Sequence, residues 1–178
     1  VGDGAGAVHS PAARIVAPVC DPAEPEPPRN QNNYRITEAD RVGLGSLKQK
    51  CRGNLSAIEL FKRLEAEERT PTADEKRLLV RYVGWGGLPQ VFDAWNDQWE
   101  EGRQRLESLL TAEELESARA TTLNAHYTAP AIIRAMYALL QRLGFDHGRI
   151  LEPACGLGQC IGRMPDGMQS RSRITGIE

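Results

Sequence analysis

The chain has 178 residues and a formal net charge of −2, and 40% of its residues are hydrophobic. That length suits one domain of ordinary size, or a small helical domain plus part of another. No apolar run is long enough to span a bilayer and no basic-then-apolar leader opens the chain, so neither a membrane partner nor secretion is expected.

The four cysteines are Cys20, Cys51, Cys155 and Cys160. They include no CxxC pair, and the histidines lie far apart, so neither a zinc site nor a disulfide framework is expected; reduced thiols in a cytoplasm are the simplest account. Residues 34–83 carry 11 Lys/Arg against 8 Asp/Glu, and residues 91–120 carry 3 against 8. A weakly basic block beside an acidic one is no nucleic-acid footprint by itself; solvated helix faces account for it. The chain opens on Val1 and stops just after a second strand begins, which suggests a segment of a longer protein.

Residues 1–33 are rich in Ala, Pro and Gly and read as a disordered leader or linker, because such a segment cannot bury enough surface to offset its ordering entropy. Residues 34–120 read as a helical region with three capped amphipathic helices. Ser56 and Glu59 have capping-box spacing at the head of SAIELFKRLEAEE, with Ile58, Leu60, Phe61 and Leu64 as the apolar face. Thr72 and Glu75 repeat the device before Leu78, Leu79, Tyr82 and Val83, and Thr111 and Glu114 repeat it again. Between the helices, Gly84, Gly86 and Gly87 flank Trp85, and Pro89 follows, which predicts an irregular turn. Trp85 either packs over a joint between helices or stacks on a base, and packing is the simpler reading.

Residues 121–178 change character. NAHYTAPAIIRAMYALLQRLGF reads as a helix with Thr128 as N-cap and Pro130 in its first turn. Its buried stripe is expected at Ile132, Met136, Leu139, Leu140 and Leu143, with Gly144 as its end. A strand over 149–152 follows, then a glycine turn, a short helical piece near 158–164, a polar loop over 165–172, and a second strand in RITGIE. Helix, strand, Gly-rich turn, helix, strand and a terminal acid make the front edge of a doubly wound α/β fold.

In such folds ligands bind beyond the carboxyl ends of the strands. Gly156 and Gly158 let a ligand approach the backbone, and Glu178 at the end of the second strand can accept hydrogen bonds from ribose hydroxyls. Together they suggest a nucleoside-containing cofactor. A dinucleotide fingerprint needs a third glycine at 161, where the chain has Ile161. Glu152, just before the turn, repels a pyrophosphate but suits an ammonium or sulfonium group. The electrostatics therefore favour S-adenosylmethionine over a nicotinamide dinucleotide.

ILEPACGLGQC resembles the cofactor-binding motif of amino-group DNA methyltransferases, Asp/Glu-Pro-x-x-Gly-x-Gly. NAHYTAPAIIRAMY is similar to the Tyr/Phe-Thr-Pro segment that precedes it in the adenine-N6 branch, with one extra residue, Ala129, before the proline. The block from NYRITEADRVG through RYVGWGGLPQVFD is similar to the N-terminal region of large methylase–helicase fusions of phages, plasmids and mobile elements. The resemblance covers about residues 33–178. It implies the start of a class I, Rossmann-like S-adenosylmethionine-dependent fold over 121–178, cut after its second strand. It also implies DNA as a partner of the longer protein, and a helicase domain downstream.

Carried over by residue, the resemblance implies that Tyr127, Thr128 and Pro130 hold the methionine end of the cofactor and that Glu152 lies near that end. Pro153 belongs to the same motif, Cys155, Gly156 and Gly158 give the backbone surface beneath the cofactor, and Glu178 binds the ribose. The family's catalytic Asn/Asp/Ser-Pro-Pro-Tyr/Phe tetrapeptide does not occur: the only Pro-Pro, Pro27-Pro28, precedes Arg29. These residues are therefore expected to bind the cofactor without transferring methyl groups. The alternative is a helical module that docks DNA or a protein, with a vestigial nucleotide fold and Lys48, Lys50, Arg52, Lys62 and Arg63 as phosphate contacts. A nicotinamide-dependent oxidoreductase is a weaker third option.

Overall fold

The computed structural model describes residues 33–124 and 127–177. The expected leader over 1–33 therefore lies outside the described residues, except for Asn33. The architecture is mixed α/β and mostly helical, with one two-stranded parallel sheet.

Helix α1 spans Leu47–Ala66. Its N-cap is Ser46, not Ser56: the Ser46 hydroxyl accepts from the Gln49 amide at 3.3 Å, and the Gln49 side chain accepts from the Ser46 amide at 2.8 Å. The reciprocal Ser-x-x-Gln pair satisfies two first-turn donors, so the helix begins well before the second Ser-x-x-Glu pair, and Ser56 is an exposed mid-helix residue. The intervening Gly53 does not break it. A Cβ there would stand 3.3 Å from the Arg81 carbonyl, so the glycine admits the chain that follows α2. The buried stripe is Cys51, Asn54, Leu55, Ala57, Leu60 and Leu64, and Phe61, expected in it, is exposed.

Helix α2 (Ala73–Leu79) carries the expected Thr72–Glu75 box. Helix α3 spans Glu100–Leu109, and α4 spans Ala112–Asn124 behind the expected Thr111–Glu114 box, whose bonds are 2.8 and 3.2 Å. Between α2 and α3 the chain makes two short 3₁₀ turns, Pro89–Phe92 and Asp97–Trp99. These elements close on one core of Cys51, Leu55, Trp85, Leu88, Val91, Trp99 and Leu106. Trp85 lies at its centre, edge-on to Tyr82 at 6.4 Å and to Phe92 at 5.6 Å between ring centres. It is 1% exposed, so it packs and does not stack on a base.

Helix α5 spans Pro130–Arg142. Its N-cap is Ala129, with no side-chain bond, so Thr128 does not cap it. Pro130 holds the first helical position, where its missing N–H is no loss, and it keeps the residue before it extended. At the other end the Phe145 amide donates to the Leu140 carbonyl and the Gly144 amide to that of Gln141, the paired bonds of a glycine-terminated helix. The expected buried stripe is not buried: Ile132, Met136, Leu139, Leu140 and Leu143 are all exposed, and α5 packs inward through Ile133, with Tyr137 half-buried.

Strand β1 (Arg149–Glu152) pairs in parallel with β2 (Arg173–Gly176), Ile150 opposite Ile174 and Glu152 opposite Gly176. The crossover holds the one-turn helices α6 (Gln159–Gly162) and α7 (Asp166–Gln169). The stretch expected as a polar loop is thus partly helical, because Met168 is a buried anchor amid polar residues. The segment before α1 docks on this crossover: the Ile36 amide donates to the Gly162 carbonyl at 2.7 Å, and Arg35 pairs with Asp166. No helix among the described residues is long and apolar enough to cross a membrane.

Candidate functional site

β1 ends at Glu152, and the chain turns back through Pro153–Gly158 against the tip of β2. The Cys155 amide donates to the Ile177 carbonyl and the Ile177 amide to the Glu152 carbonyl, both at 2.9 Å. The turn closes when the Gly158 amide donates to the Cys155 carbonyl at 2.8 Å. Gly156 and Gly158 have φ of +51° and +68°, a region that favours glycine. Among the described residues, no atom beyond the adjoining residues of the chain stands within 4 Å of where a Cβ on either would lie. Left-handed backbone explains the two glycines, and the space above them is open.

Beside this turn lies a cavity of about 250 Å³. Tyr127, Thr128 and Pro130 line it from one side, Leu157, Gln159 and Arg163 from the turn and α6, and Lys50, Gly84 and Leu88 from the helical region. Three of the residues expected from the sequence therefore share a wall with the residues that surround Gly158. The wall is tight where a Cβ on Gly84 (φ +70°) would fall on the Tyr127 hydroxyl. Gly84 is held by Asn54, the one fully buried polar side chain among the described residues. The Asn54 amide donates to the Gly84 carbonyl at 2.8 Å, and its carbonyl accepts from the Val83 amide at 2.8 Å.

Glu152 and Cys155 point to a different set of neighbours. The Glu152 carboxylate neighbours the Cys160 thiol, whose pKa is raised by burial first and by that carboxylate second. The Tyr137 hydroxyl donates to the Cys160 carbonyl at 2.8 Å, and burial chiefly, then Cys160 and Glu152, push it up to about 12. The Cys155 sulfur would stand 3.1 Å from a Cβ on Gly176, so it packs on β2. Pro153 is exposed. Of the expected site residues, Glu152, Pro153, Cys155, Gly156 and Gly158 do not line the cavity, though Leu157 and Gln159 beside the glycines do, and Glu178 lies outside the described residues.

Asn54, Gly84 and Arg163 were not singled out as site residues by sequence reasoning. Asn54 leaves a trace, a polar residue at a core position of α1, whereas Arg163 leaves none. Most of the basic residues considered as phosphate contacts are engaged within the fold. Lys48 lies 4.0 Å from the Trp99 ring centre and donates to the Gln98 carbonyl; Lys62 pairs with Glu114 at 2.6 Å, and Arg63 with Glu75 at 3.5 Å. A second, wider cavity of about 470 Å³ lies between α1 and α4, lined by Ile58, Phe61, Tyr82, Trp85 and Leu110, away from the glycine turn.

No protein-family model, no curated protein and no solved structure matches this chain.

Proposed function

We propose that the glycine turn and its adjoining cavity form a binding site for a nucleoside-containing cofactor, at the front edge of a Rossmann-like sheet. The cofactor in this proposal is S-adenosylmethionine, and the chain is the N-terminal part of an adenine-N6 DNA methyltransferase of the methylase–helicase type, working in the cytoplasm. The observation that carries the reading is the meeting of Tyr127, Thr128 and Pro130 with Leu157 and Gln159 around one cavity. These groups lie about thirty residues apart in sequence and belong to the two motifs on which the resemblance rests. The open, left-handed glycines leave room for a ligand against the backbone, and Glu152 at the strand tip suits a ligand with cationic groups.

In the longer protein a flipped adenine would attack the cofactor's methyl group through N6, with positioning supplying much of the acceleration. The Pro-Pro tetrapeptide that would hold the adenine does not occur in these 178 residues. The proposal for them is therefore binding without turnover. Equilibrium dialysis with labelled S-adenosylmethionine, with and without excess NAD, tests it. Retention that NAD does not displace is the expected result. Retention of NAD in its place, or of neither compound, overturns the reading.

A further inference from the structure

We infer that the cavity beside Tyr127 is an anion site, in which Lys50 and Arg163 hold the carboxylate of the amino-acid arm of an adenosyl ligand whose nucleoside lies over Gly156–Gly158. The inference rests on the cofactor reading above and adds to it the group that the helical region recognises.

Among the described residues the cavity's charged lining is cationic only: Lys50 and Arg163 line it and no described Asp or Glu does. Both side chains belong to half-buried residues, and neither has a carboxylate partner among the described residues. Arg163 is steered by a neutral bond, its Nε donating to the Gln159 side-chain oxygen at 3.0 Å, which leaves the rest of the guanidinium fork for another acceptor. Half-buried Lys62, by contrast, has Glu114. Partial burial of two cations without a counter-charge is unfavourable, and an anion between them removes the cost.

Size and setting identify the anion. A volume of about 250 Å³ lies below the range of pockets that take a whole drug-sized ligand, so the space suits an arm and not a nucleoside. A nucleic-acid backbone is the poorer fit. Phosphate contacts need projecting cations in a row, and Lys48, Lys62 and Arg63 nearby are engaged with Trp99, Glu114 and Glu75. Glu152 stands away from the cavity, at the strand tip. A carboxylate between Lys50 and Arg163 offsets their charge, and the alkyl chain of the arm carries the sulfonium out of the cavity, toward the glycine turn.

Calorimetric titration of the 178-residue chain with S-adenosylmethionine, its decarboxylated form and 5′-methylthioadenosine tests the inference. Lys50→Met keeps the aliphatic stem and removes the charge. It is expected to weaken S-adenosylmethionine by at least about tenfold and the two carboxylate-free ligands by less than about twofold, with Lys50→Arg restoring the difference. Arg163→Gln is expected to act in the same sense. Equal weakening of all three ligands, or of none, overturns this inference and leaves the cofactor reading in place. Absence of binding by all three to the unaltered chain overturns the cofactor reading itself, and this inference with it.

Discussion

Asn54 ties the helical region to the candidate site, and replacing it shows how much that tie holds. Asn54→Leu keeps a side chain of similar size while removing a donor and an acceptor. It strands the Gly84 carbonyl, which is buried, and the Val83 amide, which is half-buried. A buried backbone group left without a partner costs about 1–3 kcal/mol. With Gly84 near the middle of that range and Val83 at its low end, the loss comes to about 3 kcal/mol. In a chain of this size that lowers the melting temperature by roughly 6–12 °C. Urea unfolding followed by far-ultraviolet circular dichroism measures it, with an unchanged slope as evidence that the same surface is exposed. Ser56→Ala, on the exposed face of the same helix, is the control and should stay within about 0.5 kcal/mol. A loss below about 1 kcal/mol for Asn54→Leu, equal to a single ordinary hydrogen bond, refutes the argument that this side chain holds the glycine loop.

Three further outcomes follow from particular contacts. Trp85→Ala should cost about 3–5 kcal/mol, as large-to-small changes in cores do, whereas Trp95→Ala, at a residue 93% exposed, should be neutral in the same melts. The Arg69 side chain chiefly, with the Thr72 amide, holds the Glu75 carboxyl well below the usual range, and Lys62 with the Thr111 amide lowers that of Glu114. Their folded values are depressed, so the unfolded chain binds more protons; this stability is present above the ordinary glutamate pKa and lost as pH falls below it. Thermal melts from pH 7 to pH 3 should fall more gently for the Glu75→Gln/Glu114→Gln variant than for the parent, and parallel curves would contradict the assignment. Removing the charge next to Cys160 by Glu152→Gln should speed its alkylation by iodoacetamide, read by peptide mass spectrometry, because only the thiolate reacts. An unchanged rate would mean that the carboxylate does not face the thiol.

Local chemistry was legible wherever it was self-contained. The Thr72–Glu75 and Thr111–Glu114 boxes and Gly144 as the stop of α5 depend on neighbours within a few residues. Competition between equivalent signals was not legible. Ser56-x-x-Glu59 reads as a helix start, yet the helix begins ten residues earlier at the Ser46–Gln49 pair and runs through Gly53, which packs against the Arg81 carbonyl. Periodicity shows that α5 has apolar faces but not which of them is covered, and Ile133 is buried while Ile132 is not. At the site, the glycine turn and the Tyr127–Pro130 segment announce themselves by residue type. Lys50, Gly84 and Arg163 reach the same cavity from distant parts of the chain, with Asn54 holding Gly84 from behind, and only the fold brings them together.

The central claim is most directly tested by isothermal titration of the chain with S-adenosylmethionine, alongside Gly156→Val. Valine cannot adopt φ near +51° without strain, and its branches would fill the open space above the turn. The account predicts saturable heat with the parent chain and its loss in the variant, while circular dichroism stays the same. No heat with the parent, or equal affinity in both, would contradict it.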